Sequence, residues 1–255
     1  MFGLSRRIFL LSVIASPIYA GTRDPRIKDA EYIEYANSFK TVGKICGLAK
    51  DGSKFCGSAV AIDDYHILTA AHVIQGSVSC SFYINDKEYC IPDIRMHKDF
   101  ENGGFGVADI AIGKSELPFD LDKYPELYNE ENEVGKECAI CGYGFSGTFE
   151  TGSKFYDNKK RAGLNRIDNI EKDMLICTSS DKTDKNITKM EFLIASGDSG
   201  GGLFINNRLA GINSCVMAVD RSPQSKYNEE SGHTRISKFL DWINEYRNIK
   251  KKNER

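Results

Sequence analysis

Short apolar runs follow one another from about Thr41 to Ala218, and clusters of Gly, Asn, Asp and Ser separate them. Ser58–Ile62, His66–Thr69 and Ile110–Ile112 are typical of these runs. Runs of this length with frequent turn residues predict β-strands, and many of them in succession predict an all-β barrel or sandwich. The sequence has no regular alternation of strands with long amphipathic helices, which disfavours a parallel α/β sheet.

Helical periodicity is clear only near the C-terminus. Phe239, Leu240, Ile243 and Tyr246 recur at helical spacing, and Ser237 before them is a suitable N-cap. We therefore predict one helix at about 237–249.

The stretch from Asp120 to Glu133 is polar and acidic, which predicts a surface connector between two β-units. The predicted divisions of the folded region 21–255 are a first β-unit at about 40–118, a connector at about 119–134 and a second β-unit at about 135–236.

The N-terminus has the pattern of a secretory signal peptide. Arg6 and Arg7 precede an apolar stretch at Ile8–Ile14, and small residues lead to Ala20. The apolar stretch is too short to span a bilayer as a helix, and no other segment of the sequence is suited to do so. We predict a signal peptide at 1–20 and a secreted or periplasmic protein that begins at Gly21.

The net charge of the chain and the distribution of its basic residues indicate which classes of partner to expect. The chain has 255 residues and a formal net charge of −2, which becomes about −4 once the two arginines of the signal peptide are removed. Lys and Arg are scattered apart from the short run Lys250–Arg255, so no basic patch points to nucleic acid. We expect neither a nucleic-acid partner nor a membrane partner.

The chain has eight cysteines, which fit an oxidising destination. They weigh against a twin-arginine export route, which Ser5–Leu10 resembles, because that route begins in a reducing cytoplasm. Two pairs of cysteines lie symmetrically around short turns, at Lys50–Gly52 and at Ile84–Asp86. Cysteines that face each other in a hairpin lie near the distance that a disulfide needs. The predicted disulfides are Cys46–Cys56 and Cys80–Cys90.

The other four cysteines are Cys138, Cys141, Cys177 and Cys215. Cys138–Cys141 has neither the strand–helix context of a redox motif nor a second close pair to complete a zinc site. We expect structural disulfides among these four, of unassigned pairing, and no metal site.

Glycines surround a serine in Gly197–Gly201 (Gly-Asp-Ser-Gly-Gly). Three interpretations are open for this segment alone: the nucleophile loop of a serine protease, the nucleophile elbow of an α/β-hydrolase, or a polar turn between strands. Two further residues decide between them. His72 follows an apolar strand, and Asp109 heads another, where a buried carboxylate is costly unless it is used.

The order His72, Asp109, Ser199 excludes the α/β-hydrolase interpretation, in which the serine comes first. Too few residues follow Ser199 to hold the remaining βα units and both partners. Thr69–His72, Asp109–Ala111 and Gly197–Gly201 resemble the three signature motifs of chymotrypsin/trypsin-like serine proteases.

The resemblance implies two six-stranded antiparallel β-barrels with a C-terminal α-helix. It also implies a secreted serine endopeptidase that works through an acyl-enzyme, without cofactor. The expected partners are protein or peptide substrates and protein protease inhibitors, and the expected state is a monomer.

The resemblance also implies roles for individual residues. Ser199 attacks the scissile carbonyl, His72 takes and returns the proton, and Asp109 orients the imidazole. The backbone N–H groups of Gly197 and Ser199 form the oxyanion hole. Ser214 lies beside Asp109 and aligns the substrate backbone.

The chain departs from the family in its specificity residues. Leu193 stands where members that cut after Lys or Arg have an acid, so this specificity is disfavoured. Leu193 and Val216 predict a pocket for a small or medium apolar side chain. The competing hypothesis is that Ser196 and His233 hold an acidic side chain.

Activation is the second departure. No start of the Ile-Val-Gly-Gly type occurs near Gly21 or Thr41. Asp198 is therefore expected to pair with the amine left by signal cleavage, with an arginine such as Arg23, or with no charged group. An unactivated zymogen and a protease-like binding protein on the same fold are the alternatives to an active enzyme.

Overall fold

The computed structural model of the chain describes residues 21–101, 103–179 and 187–253. The predicted signal peptide lies outside the described residues. The described chain starts with a two-residue strand, β1 (Thr22–Arg23), and a short helix, α1 (Asp29–Ala36). Among the described helices, none has the length and apolarity to cross a membrane.

Seven antiparallel strands form the first barrel-like sheet. In chain order its elements are β2 (Val42–Ala49), β3 (Lys54–Ala61), β4 (His66–Thr69), the short helix α2 (Ala71–Ile74), β5 (Ser77–Ile84), β6 (Lys87–Cys90), β7 (Asp93–Met96) and β8 (Ala111–Lys114). The strands lie side by side in the order β6-β5-β2-β3-β4-β8-β7. Alternate side chains point inward, so Ile45, Ile67 and Phe82 are fully buried.

The second half of the chain supplies the remaining strands. They are β9 (Glu137–Gly142), β10 (Ser146–Thr148), β11 (Gly152–Phe155), β12 (Arg161–Arg166), β13 (Asn169–Glu171), β14 (Met174–Thr178), β15 (Phe192–Leu193), β16 (Gly202–Ile205), β17 (Arg208–Met217) and β18 (Glu230–Arg235). Seven of them form the second sheet, in the order β12-β9-β16-β17-β18-β14-β13, around Ile140, Leu175 and Leu203.

A third, four-stranded sheet has the order β11-β10-β1-β15. In it β1 runs parallel to β10 and antiparallel to β15. The predicted all-β fold with a C-terminal helix is confirmed. The sheets contain seven, seven and four strands in place of the predicted six per barrel. Pairing between the described strands is antiparallel except for β1 with β10, because β1 inserts between β10 and β15.

The last helix, α3 (Leu240–Asn253), begins after a 3-10 turn at Ile236–Lys238. The prediction that Ser237 is the N-cap is wrong, because Ser237 lies in that turn and donates its hydroxyl to Glu133 at 3.1 Å. The α3 helix reaches the first sheet through Arg247, whose Nε donates to Asp63 at 2.7 Å.

The α1 helix was not predicted because eight residues carry little periodic signal. It is held by Arg161, whose guanidinium donates to both carboxylate oxygens of Asp29, at 2.8 and 2.7 Å. Tyr32 is fully buried, and its hydroxyl donates to the carbonyl of Glu191 at 3.0 Å.

The disulfide Cys46–Cys56 is confirmed. The two residues face each other across β2 and β3, with their Cα atoms 4.1 Å apart. The predicted disulfide Cys80–Cys90 is wrong, since both residues are free thiols.

The reason lies in the β5–β6 turn, which contains only Asn85 and Asp86, both with positive φ (50° and 59°). A two-residue turn sets the register so that Cys90 faces Ser81, one residue away from Cys80. Adjacent residues of a strand point to opposite faces, so Cys80 is buried while Cys90 is exposed.

A buried ion pair ties the connector to the second sheet. Arg235 in β18 donates to both carboxylate oxygens of Glu133, each at 2.8 Å, and Glu133 is fully buried. Removing one charge from such a pair leaves the other buried and uncompensated.

We therefore predict that Glu133→Gln lowers the free energy of unfolding by about 3 kcal/mol. Urea denaturation of the purified protein measures this change. Glu131→Gln is the control, because Glu131 is 65% exposed and 3.9 Å from Arg235, and it is expected to cost less than about 1 kcal/mol. Equal effects of the two substitutions would contradict the prediction.

Candidate active site

The pairing of β4 with β8 brings His72 and Asp109 together. Thr69 at the end of β4 faces Ala111 at the start of β8. His72 follows β4 in α2, and Asp109 lies just before β8. The Nδ1 atom of His72 lies 2.7 Å from Oδ2 of Asp109, and the His72 backbone N–H donates to Oδ1 at 2.9 Å.

The Asp109 side chain is only 8% exposed. Ser214 in β17 donates its hydroxyl to Asp109 Oδ2 at 2.5 Å, and Thr234 in β18 donates to the Asp109 carbonyl at 2.8 Å. Burial by itself raises the pKa of this carboxyl. The charge and hydrogen bonds of His72, together with the Ser214 hydroxyl, outweigh burial and hold the pKa of Asp109 below its usual range.

The His72 ring remains 41% exposed. Burial lowers the pKa of His72, but the charge of Asp109 and its hydrogen bond raise it by more, so the net pKa lies above its usual value. Because Asp109 holds Nδ1, Nε2 is the ring nitrogen that is left to exchange a proton.

Ser199 lies in the loop between β15 and β16. Its hydroxyl donates to the carbonyl oxygen of Ser214 at 3.3 Å rather than to His72. Ser214 therefore contacts both the Ser199 hydroxyl and the Asp109 carboxylate. Catalytic hydrogen bonds are often loose before substrate binds, so this geometry is compatible with a nucleophile.

Fixed peptide planes set the direction of the Ser199 backbone N–H. The carbonyl of Asp198 accepts hydrogen bonds from Gly201 N–H at 2.8 Å and from the side chain of Asn213 at 3.1 Å. The N–H and C=O of one trans peptide point in opposite directions, so the Ser199 N–H points away from these two donors.

The Gly197 backbone N–H is set in the same manner. The preceding carbonyl, that of Ser196, accepts a hydrogen bond from Phe145 N–H at 3.4 Å. Gly197 has a φ of 88°, a conformation that favours glycine. A Cβ at this position would lie 3.0 Å from the Cα of Gly144, so a larger residue is also disfavoured by space.

Asp198 is buried beneath this loop. Its carboxylate accepts backbone hydrogen bonds from Gly144 at 2.9 Å, from Ala195 at 3.1 Å and from Gly21. Burial raises the pKa of Asp198 to about 7 in spite of these three bonds. The expected pairing with Arg23 is not made, because Arg23 donates to Asp29 at 3.1 Å instead.

A cavity of about 230 Å³ opens beside Ser199. Its lining residues are Ser153, Ile194, Ala195, Ser196, Ser199, Ser214, Cys215, Val216, Pro223 and Ser225. Ser196, Ser214 and Val216, which the sequence predicted to contact substrate, are among them. The prediction for Leu193 is wrong, because Leu193 is fully buried in β15 opposite Thr22, and its neighbour Ile194 lines the cavity.

His233 does not line the cavity. It is fully buried, with Nδ1 2.9 Å from Asn213 Oδ1 and Nε2 2.9 Å from the Ser231 hydroxyl. Burial lowers the pKa of His233 to about 3, so the ring is neutral at ordinary pH. Its role is to hold Asn213, which in turn holds the carbonyl of Asp198.

Ser58 and Asn213 were missed by the sequence interpretation. Each is a fully buried polar residue in a strand whose buried positions are mostly apolar. A buried polar residue requires a specific hydrogen-bond partner, so a polar residue among apolar strand positions was the signal that could have identified Ser58 and Asn213. Among the described residues, no group of three or more His, Cys, Asp or Glu side chains is placed to hold a metal ion.

We predict that His72 and His233 titrate differently. The pKa of His72 should exceed about 6.5, the ordinary value for histidine, and His233 should stay neutral from about pH 4.5 to 8. Ring-nitrogen NMR during a pH titration, with His72 assigned by substitution, measures both. Asp109→Asn is the control and should lower the pKa of His72. A His233 ring that protonates near pH 6.5 in the folded protein would contradict the described burial.

Two known protein structures are similar to this chain in fold. Mouse neuropsin, described as a serine protease expressed in the limbic system of mouse brain, matches with a TM-score of 0.64 at 21% identity, over 83% of this chain and 96% of that one. HL collagenase matches with a TM-score of 0.66 at 19% identity, over 82% of this chain and 94% of that one. These two likenesses support the fold.

A family profile described as Trypsin matches residues 35–243, which include His72, Asp109 and Ser199. Since this match spans well over half of the sequence, the chain belongs to the trypsin family of serine endopeptidases.

Proposed function

We propose that this protein is exported and hydrolyses peptide bonds with Ser199 as nucleophile, His72 as general base and acid, and Asp109 as the carboxylate that orients His72. The observation that carries the proposal is the chain of contacts from His72 through Asp109 and Ser214 to the Ser199 hydroxyl. It joins the three residue types that acyl transfer requires.

The first half of the reaction forms an acyl-enzyme. Ser199 Oγ exchanges its bond to the Ser214 carbonyl for one to His72 Nε2 and attacks the scissile carbonyl carbon. His72 takes the hydroxyl proton and then gives it to the leaving amine. Asp109 keeps Nδ1 protonated and stabilises the imidazolium through the 2.7 Å contact.

The second half releases the acid product. A water molecule takes the place of the amine, loses a proton to His72 and attacks the acyl carbonyl, and Ser199 leaves with that proton restored. In both halves the N–H groups of Gly197 and Ser199 donate to the oxyanion. Their orientation by fixed neighbouring carbonyls supports this assignment because a preorganised donor needs no rearrangement during reaction.

We predict that a fluorophosphonate probe labels Ser199 of the folded protein that begins at Gly21, and that Asp109→Asn lowers kcat by about 10⁴-fold. Intact mass and peptide mapping locate the label, and a peptide substrate measures the rate. Ser199→Ala is the control and should give neither label nor turnover. Absence of labelling in a sample shown to be folded would favour the zymogen or the protease-like binding protein.

The cavity beside Ser199 supports specificity for a small or medium uncharged side chain before the cleaved bond. Among the described residues, its lining includes apolar groups, serine hydroxyls and one cysteine, and no residue with a full charge. Burying a charged side chain there without a partner is costly. The hypothesis that Ser196 and His233 hold an acidic side chain loses support because both ring nitrogens of His233 already have partners.

We therefore predict that cleavage profiling with a peptide library favours uncharged residues such as Ala or Val over Lys, Arg, Asp and Glu by at least about 100-fold. Val216→Gly should widen the cavity and shift the preference to larger apolar residues. Val219→Gly is the control, since Val219 is 92% exposed. A profile dominated by a charged residue would contradict the proposed specificity.

Signal cleavage after Ala20 is proposed as the activating step. Gly21 is buried, and its backbone nitrogen is hydrogen-bonded to the Asp198 carboxylate. A free amine at Gly21 would therefore place an ammonium group beside a carboxylate whose pKa is otherwise raised. The site also requires glycine, because a Cβ on Gly21 would lie 2.2 Å from the Phe192 ring. Glycine at this position therefore supports the predicted cleavage point.

We predict that protein beginning at Gly21 is more active than the same protein extended by one N-terminal methionine, by at least about tenfold in kcat/KM. Both forms are made by cleaving a fused tag, and the rate is compared with one peptide substrate. A form acetylated at Gly21 has no added residue but carries an acetyl group in place of the amine charge, so it should resemble the extended form. Equal rates in all three would refute activation by this amine.

A further inference from the structure

Ser58 reaches from the first sheet to the Ser199 loop of the second half of the chain. We propose that Ser58 is a positioning residue that fixes the oxyanion hole through the Gly197 carbonyl. This inference rests on the proposed function, in which Gly197 and Ser199 donate to the oxyanion.

Ser58 in β3 is fully buried and bonded through three of its atoms. Its hydroxyl donates to the Gly197 carbonyl at 2.8 Å and accepts from the Tyr143 backbone N–H at 2.9 Å. Its backbone N–H donates to the Ser199 carbonyl at 2.8 Å, and its own carbonyl accepts from the Thr69 hydroxyl at 2.8 Å. The Ser58 hydroxyl therefore has one fixed direction.

The Gly197 carbonyl belongs to the peptide unit that lies between the two oxyanion donors. One neighbouring unit carries the Gly197 N–H, and the other carries the Ser199 N–H. The far end of the central unit, Asp198 N–H, donates to the carbonyl of Ala195 at 3.1 Å. Ser58 thus fixes the carbonyl end of the central unit, and Ala195 fixes its N–H end. The central unit in turn sets the orientation of both oxyanion donors.

Glycine makes this restraint necessary. Gly197 populates positive and negative φ with similar ease, so its own conformational preference does not hold it at 88°. Without the Ser58 hydroxyl, the Gly197 carbonyl and the Tyr143 N–H would both lose a buried hydrogen-bond partner. A rotation of the central unit would then give the Gly197 carbonyl another partner, and it would misdirect the two donors.

The test is Ser58→Ala, assayed with a peptide substrate of the preferred class. We expect kcat to fall roughly 10- to 100-fold, below the loss for deleting a donor outright, with KM changed less than about threefold. The inhibition constant of a matched peptide aldehyde, whose adduct places an oxygen in the hole, should rise by a similar factor. The inhibition constant of the corresponding peptide amide should not change.

Ser179→Ala is the matched control, since Ser179 is also fully buried and donates to the backbone carbonyl of Lys226. It should lower the melting temperature as Ser58→Ala does and leave kcat unchanged. Ser58→Cys keeps an atom at the same place with a weaker donor, so its kcat should lie between those of wild type and Ser58→Ala.

Failure of the proposed function and failure of the Ser58 proposal give different experimental results. A wild-type protein without labelling or turnover refutes the proposed function. An active wild type whose Ser58→Ala variant keeps kcat and aldehyde affinity within twofold refutes the role of Ser58 alone. A loss of aldehyde and amide affinity together would also overturn it, because that result indicates a disturbed cavity.

Cys138 and Cys177 carry an independent inference. Both are free thiols in this structure, but unlike Cys80 and Cys90 they lie together in the second sheet's core, on β9 and β14, with their Sγ atoms 3.8 Å apart. We infer that these two thiols form a disulfide when the exported protein meets an oxidising compartment. A disulfide of a thiol oxidoreductase accepts the two electrons and two protons, becoming a dithiol, while the Cys138–Cys177 bond forms by exchange.

The protein is produced by export into an oxidising compartment, alkylated without reduction and digested with trypsin. We expect the peptide containing Cys177 to be linked to the one containing Cys138, and the melting temperature of Cys177→Ser to fall by roughly 5–15 °C. Cys141→Ser keeps the link and shows that Cys138 is the partner within their shared peptide. Alkylated Cys138 and Cys177 in a sample whose Cys46–Cys56 bond has formed would overturn the inference.

Discussion

The Asp109 carboxylate is the interaction on which the rest of the site depends. A buried carboxylate is tolerated only when its oxygens have partners, and here the partners come from both halves of the chain. His72 supplies two donors to the carboxylate from the first half, and Ser214 supplies one hydroxyl from the second. Thr234, also from the second half, donates its hydroxyl to the Asp109 backbone carbonyl. The two halves must therefore dock in one arrangement. That arrangement brings Ser214, whose carbonyl accepts the Ser199 hydroxyl within the second half, next to Asp109 of the first half.

A second buried carboxylate, Asp198, organises the nucleophile loop. Its oxygens accept backbone N–H groups from three separate segments, including Gly21 near the start of the described chain. The loop is also held by two polar side chains, Ser58 from the first sheet and Asn213 from β17. The backbone conformation at Ser199 is thus set by contacts with distant segments, since glycines on both sides leave it little preference of its own.

The N-terminal segment and the C-terminal helix hold the assembly from outside. Asp29 in α1 pairs with the buried guanidinium of Arg161. This ion pair anchors the N-terminal segment, whose first described residue, Gly21, donates its backbone N–H to Asp198. Arg247 in α3 pairs with Asp63 of the first half. Both ends of the described chain therefore restrain the same two units whose contact forms the site.

The sequence alone determined the all-β class, the C-terminal helix and the Cys46–Cys56 bond, because each has a local signal. It also predicted the three candidate site residues, from their motifs and their order along the chain. The register of the β5–β6 hairpin, the direction of Leu193 and the contacts of Ser58 were decided only by tertiary structure. A shift of one residue in the register of a hairpin, or of one position along a strand, moves a side chain to the opposite face of the sheet. The pattern of apolar residues does not distinguish between such neighbouring positions. Likewise, the partner of a buried hydroxyl can lie far away along the chain, as Gly197 does for Ser58, so only the docking of the two halves reveals it.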